Sequence, residues 1–186
     1  MSTFHLSSYH HGNLRSVMLE VAMGILERDG EQGVGLRDLA RLVGVSPAAP
    51  YRHFDSRNSL LEALAITGFH RFSARMVKVA EEHPDNPLSA MGKTYVLFAL
   101  ENANLFRLMF SPQLTKIARP GLKMASDTAF DSLRQVIGGD DEFDRVKALS
   151  AWAKVHGLAM LLLDGQVKVE TPEETKALIA DVLASL

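Results

Sequence analysis

The chain has 186 residues and no cysteine, carries a formal charge of −2 and is 47% hydrophobic. That length and apolar share are enough for a packed core in one large or two small domains, and the missing cysteines exclude a disulfide framework or a thiolate site. No apolar run reaches the length of a bilayer span, and the opening "MSTFHLSSYHHGNLR" has no apolar signal-peptide core, so a cytoplasmic protein with no membrane partner is expected.

In chain order the pattern is helical throughout, with no period-two strand. Leu14, Val17, Met18, Val21 and Ile25 recur at helical spacing until "RDGEQG" ends the segment. A shorter helix is predicted over Leu36–Val43, with Gly44 placed to end it. Ser46-Pro47 then starts the next helix by the cap-then-proline pattern. From about Arg57 a long helix places Leu61, Leu64, Ala65, Gly68 and Phe72 on one face.

"HPDNP" is the first strong break, and Asn86-Pro87 restarts a helix through "LSAMGKTYVLFAL". "NANLFRLMF" makes another short one before Ser111-Pro112. A further helix runs from Arg119 to Ile137 and stops at Gly138-Gly139. "DEFDRVKALSAWAKVHGLAMLLLDG" reads as a long helix that is apolar on more than one side. "TPEETKALIADVLASL" opens with a capping box, Thr171 with Glu174, and carries an apolar stripe of Leu178, Ile179, Val182 and Leu186.

The informative stretch is Gly35–Phe54. Leu39, Ala40, Val43 and Val45 face inward, Gly44 permits a tight turn, and Phe54 anchors the far end, which together describe a helix-turn-helix. Its second helix exposes Ser46, Pro47, Ala48, Ala49, Tyr51, Arg52 and His53. Small residues at its start let the backbone approach base edges, and Tyr51 and His53 can donate to flanking phosphates. Pro50 has no backbone donor and would clash with the Ser46 carbonyl, so a distorted first turn is expected. Pro47, Ala48 and Ala49 suit thymine methyl groups, which leaves polar base readout to Arg37 and Arg52. Charge agrees mildly. Residues 1–75 hold eight arginines and no lysine against seven acids, whereas residues 76–186 hold twelve basic residues against fifteen acids.

"YHHGNLR" and "LRDLARLVGVSPAAPYRHFDSRNSLLEALA" resemble the tetracycline-repressor (TetR) family of bacterial transcriptional regulators over Tyr9 to Leu64. Trp152 with His156-Gly157 in "AWAKVHGLAMLL" resembles a subgroup with a W…HG signature. The resemblance implies an all-α fold, with a three-helix DNA-binding domain over residues 9–68 and a ligand-binding and dimerisation bundle over 69–186. The boundary falls in the helix that starts at Arg57, without a flexible linker. The resemblance further implies that Arg37 contacts a base or phosphate and that Pro47, Ala48 and Ala49 lie against bases. Tyr51 and His53 would hold phosphates, and Arg57, where the family usually has lysine, would grip another. Gly35 departs from the usual capping Ser or Thr, and Pro50 from a larger aliphatic residue.

For the second half the resemblance implies a small-molecule pocket whose occupation moves the helix beginning at Arg57. Tyr95, Phe98, Asn102, Phe106, Met109, Met124, Trp152 and His156 are the candidate ligand residues, set against the plainer reading that aromatic and Met side chains fill a core. The helix over residues 142–164 and the last helix are expected to form a two-fold four-helix interface through Val155, Leu158, Leu162, Leu178 and Val182.

Rival chemistries find little support. His5, His10 and His11 lack an accompanying ligand spacing for a metal, "MGKT" lacks the upstream glycine of a phosphate loop, and no GxSxG occurs. No enzyme and no cofactor are expected. A pure protein-interaction bundle is the other alternative, separable by salt-dependent DNA binding. The expected protein is a homodimeric repressor, released from a palindromic double-stranded operator by a small hydrophobic effector.

Overall fold

A computed structural model describes residues 14–115, 119–138 and 142–184. Tyr9 to Gly12, His5, Gly139 and Leu186 lie outside the described residues. All regular structure among the described residues is helical: α1 (Leu14–Gly33), α2 (Leu36–Val43), a 3₁₀ turn (Pro50–Arg52), α3 (Arg57–Glu82), α4 (Pro87–Glu101), α5 (Ala103–Met109), α6 (Pro112–Thr115), α7 (Pro120–Ile137), α8 (Glu142–Leu163) and α9 (Pro172–Ala184). The chain divides into two compact units, one ending at Ala65 and one starting at Ile66, so the boundary falls inside α3.

The first unit is held by Met18, Ala22 and Leu26 of α1, Leu39 and Ala40 of α2, Phe54, and Leu60, Leu61 and Leu64 of α3, all essentially inaccessible. The expected break at "RDGEQG" is a kink. Gly30 takes φ 71° and ψ −175° inside α1, a conformation open to glycine, and a last helical turn follows. Gly44 is left-handed at φ 75°, ψ 31°. Its N–H reaches the Arg41 carbonyl and the Val45 N–H reaches that of Ala40 at 3.0 Å, the paired bonds of a Schellman turn.

In the second unit α4 packs chiefly on α8, with α9 against α4 and α7 against α8. Small residues set two close approaches. A Cβ on Gly68 would sit 2.8 Å from Leu105 and Met109 of α5, and one on Gly92 would sit 2.9 Å from Leu183 of α9. The helix starts follow the sequence signals. Asn86 caps α4 by accepting from the Ser89 N–H. Thr171 Oγ1 accepts from the Glu174 N–H at 3.1 Å, and the Glu174 carboxylate returns a bond to the N–H of Glu170.

One expectation needs correction. By length and mean hydropathy α8 would suffice to cross a bilayer, because "GLAMLLL" raises the average of an alanine-rich helix. Part of its apolar surface has another use: Ala148, Val155, Leu158 and Ala159 are buried within the protein, and Lys147 and Lys154 interrupt the helix with charge.

Candidate nucleic-acid interface and ligand cavity

The turn after α2 delivers the chain into the segment from Ser46 to Phe54. An α-helix is expected there, with one distorted turn. The structure instead has linked turns followed by a single 3₁₀ turn. Pro50 is the cause. An α-helix would need its N–H on the Ser46 carbonyl, and proline has none. That carbonyl accepts from Ala49 N at 3.0 Å instead, and the i→i−3 pattern continues with Arg52 N to Ala49 O and His53 N to Pro50 O. Pro50 and Phe54 are buried and pin the segment from below, and Arg15 lies over the Phe54 ring at 5.4 Å.

Above those anchors Ser46, Pro47, Ala48, Tyr51, Arg52 and His53 are exposed, with Ala49 half-buried. Tyr51 is 48% accessible, which sets aside a core role for its ring. Arg37 is exposed on α2; Arg41, one turn on, is paired with Asp38 at 3.0 Å. Gly35 caps α2 without a side-chain bond.

Arg57, the expected phosphate ligand at the start of α3, is half-buried and bonded within the first unit. Its Nε donates to the Val34 carbonyl at 2.8 Å and its Nη2 to the Glu31 carbonyl at 2.5 Å. Nη1 stands 3.6 Å from the Glu31 carboxylate. The Glu31 carbonyl, in the last turn of α1, and the Val34 carbonyl just beyond it are spanned by the guanidinium fork. Arg57 therefore ties α3 to the α1–α2 connection.

The second unit holds a partly open cavity of about 1040 Å³, large enough for a drug-sized ligand. Its walls come from α3 (Phe69, Phe72, Met76), α4, α7 (Phe130), α8 (Trp152) and α9. Of the sequence candidates, Tyr95, Met109 and Trp152 line it. Phe98 and Phe106 are buried in the packing behind it, Asn102 ends α4 by donating to the Phe98 carbonyl at 2.9 Å, and Met124 is 68% exposed on the outer side of α7. Phe69 and Phe72 line the wall without having been candidates. The only sequence signal for them was aromatic content at helical spacing, which they share with Phe98 and Phe106.

His156 stands behind the wall, joined to it by one chain of bonds. Trp152 Nε1 donates to Tyr95 Oη at 3.0 Å, and Tyr95 Oη lies 2.9 Å from His156 Nδ1. Burial pushes the Tyr95 hydroxyl far above its ordinary pKa, with the Trp152 bond acting the other way, so it keeps its proton and donates to Nδ1. Burial also lowers the pKa of His156, favouring the neutral ring that can accept.

The expected dimer residues divide. Val155 and Leu158 are buried within the protomer, and Val155 lines the cavity, so neither is available to a second copy. Leu162, Leu178 and Val182 are half-buried. The apolar residues that α8 turns outward are Phe143, Val146, Leu149 and Leu161.

Comparison with known proteins fits this geometry. The family model described as "Bacterial regulatory proteins, tetR family" matches residues 18–64, and that described as "Tetracyclin repressor-like, C-terminal domain" matches residues 88–186. A protein of unknown function from Rhodococcus sp. RHA1, known by its structure, is 34% identical, with a TM-score of 0.79 over 97% of this chain and 98% of its own. The nucleoid occlusion factor SlmA of Actinobacillus pleuropneumoniae is 34% identical over 99 residues, 50% of this chain and 47% of its own. The chain spans about half the length of the curated relatives it matches. AibR, solved in complex with isovaleryl coenzyme A and operator DNA, is 15% identical with a TM-score of 0.61, covering 91% of this chain and 95% of its own, a likeness of fold alone.

A helix-turn-helix unit joined to a helical bundle is the build of a regulator, not of an enzyme. The chain belongs to the TetR family of bacterial regulatory proteins.

Proposed function

We propose that the chain is a ligand-responsive repressor: a cytoplasmic homodimer that holds a palindromic operator through Ser46–His53 and Arg37, and leaves it when a small, mainly hydrophobic effector fills the cavity. The observation that carries this reading is the outward row of Tyr51, Arg52 and His53 above the buried Pro50 and Phe54. A solvated surface would serve with any polar residues, but here a rigid base presents donors beside a run of small apolar side chains, the composition suited to base edges and phosphates.

The cavity supports the effector half of the reading, since it is lined by aromatic side chains and α3 contributes to both units. We also assign the chain to the subgroup with the W…HG signature. Trp152 and His156 meet on one tyrosine hydroxyl, which gives the motif a physical purpose.

The test begins with DNA fragments selected by the purified protein. Affinity for the selected sequence should fall steeply as salt rises from about 50 to 200 mM, as counterion release requires. Binding that is absent, or indifferent to salt, would leave the interaction-bundle alternative standing.

A further inference from the structure

We infer that the cavity selects an organic anion, an acid head group on an apolar or aromatic body, and that Lys154 holds the head group. The inference deepens the effector reading above and rests on it.

Lys154 lies on α8 among cavity-lining neighbours, with Ala151 one turn before it and Val155 beside it. Its Nζ is buried, yet has no hydrogen-bond partner among the described residues. A desolvated ammonium without a partner is costly, and proteins keep one where a ligand or an ion completes it.

The charge around the cavity points the same way. Among the described residues Lys93, Arg119, Lys123 and Lys154 line it against one carboxylate, Asp127, in a chain whose net charge is −2. Asp127 is bonded to Lys123, so it does not neutralise Lys154. The exposed Lys93 adds positive potential on the same lining without needing to touch the ligand. Much of the remaining wall is aromatic and aliphatic: Phe69, Phe72, Met76, Phe110 and Phe130 can hold a body but offer no hydrogen bonds, while Asn86, Ser89 and Ser126 add uncharged polar groups to the lining. A buried ammonium beside such apolar side chains, on a lining with an excess of cations, selects the class of ligand and its orientation.

Two dyes that share an aromatic body test this on the full chain: 1-anilinonaphthalene-8-sulfonate, an anion, and N-phenyl-1-naphthylamine, its neutral counterpart. Energy transfer from Trp152, the single tryptophan and a cavity wall, reports binding at this site. In Lys154→Met, which keeps the stem and removes the charge, affinity for the anion should drop about tenfold or more, while the neutral dye binds as before. Lys154→Arg should retain the anion's affinity. Equal effects on the two dyes in Lys154→Met, or no effect on either, overturn the inference and leave the effector cavity in place. If neither dye binds the unmodified chain, the effector reading itself falls, and the inference with it.

Discussion

At the scale of single residues, the Trp152–Tyr95–His156 chain shows how a position on an apolar stripe acquires a defined protonation state. Nδ1 of His156 accepts from Tyr95, so the neutral ring carries its proton on Nε2, and an imidazolium would have no acceptor to offer. Because burial lowers the folded pKa, the unfolded chain binds this proton more readily. The stabilisation from the neutral ring is full above the unfolded value, about 6.5, and is lost as pH falls through the lowered folded value. Thermal melts below about pH 6.5 should therefore show His156→Gln losing less stability on acidification than the unmodified chain. Parallel curves would mean that His156 does not titrate in this way. Tyr95→Phe strands the Trp152 N–H and should cost about 1–3 kcal/mol of stability. Arg57 offers a second test. Arg57→Ala should lower stability by about 1–2 kcal/mol, as the loss of bonds to two backbone carbonyls demands, whether or not DNA is present. Arg37→Ala should leave the melting temperature alone, cost about 1–3 kcal/mol in operator binding and relax preference at one base pair per half-site. Denaturation and a matrix of single-base operator variants separate the two roles, and a stability loss confined to Arg37→Ala would reverse them.

At the scale of elements, what the sequence made legible was punctuation. Gly44, Asn86-Pro87 and Thr171 with Glu174 each announce a helix end because each supplies a bond or a backbone angle that other residues do not. Gly44→Ala meets no neighbour within 4 Å, so its cost should be purely the left-handed backbone, about 1 kcal/mol in a denaturant titration. The path from Ser46 to Phe54 was only half legible. Pro50 signals a lost hydrogen bond, but whether the chain answers with one distorted turn or with 3₁₀ geometry depends on how deeply Pro50 and Phe54 are drawn into the first unit, and that is a tertiary matter. The cavity was legible only as a class of residues. Phe98 and Phe106 fill the core while Phe110 and Phe130 face the cavity, and nothing in their local patterns distinguishes them. Lys154 was equally silent, because a lysine on a long helix ordinarily reads as solvated charge.

At the scale of the whole molecule, assembly is decided by surface that one copy leaves uncovered. Phe143, Val146, Leu149 and Leu161 share a side of α8 at helical spacing, and Phe143 is 66% accessible, an unusual exposure for a phenylalanine in a folded chain. A two-fold contact between the α8 helices of two copies buries this stripe on both at once, because a two-fold interface uses the same patch twice. We predict a dimer through this face, and half-sites about one helical turn apart, roughly 34–36 Å, on any operator it binds. The choice of substitution matters. An aspartate at Val155 or Leu158 would enter the protomer's own core and unfold it, which would say nothing about assembly. At Val146 or Leu149 an aspartate should leave the melting temperature of the dilute monomer nearly unchanged and abolish the dimer. Operator affinity should then fall by far more than the loss of one reader, since the second half-site no longer binds at the high effective concentration that a dimer supplies. Light scattering on the unmodified chain and on Val146→Asp decides the matter: a monomer at micromolar concentration without substitution, or a dimer that survives Val146→Asp and Leu149→Asp together, would place the interface elsewhere.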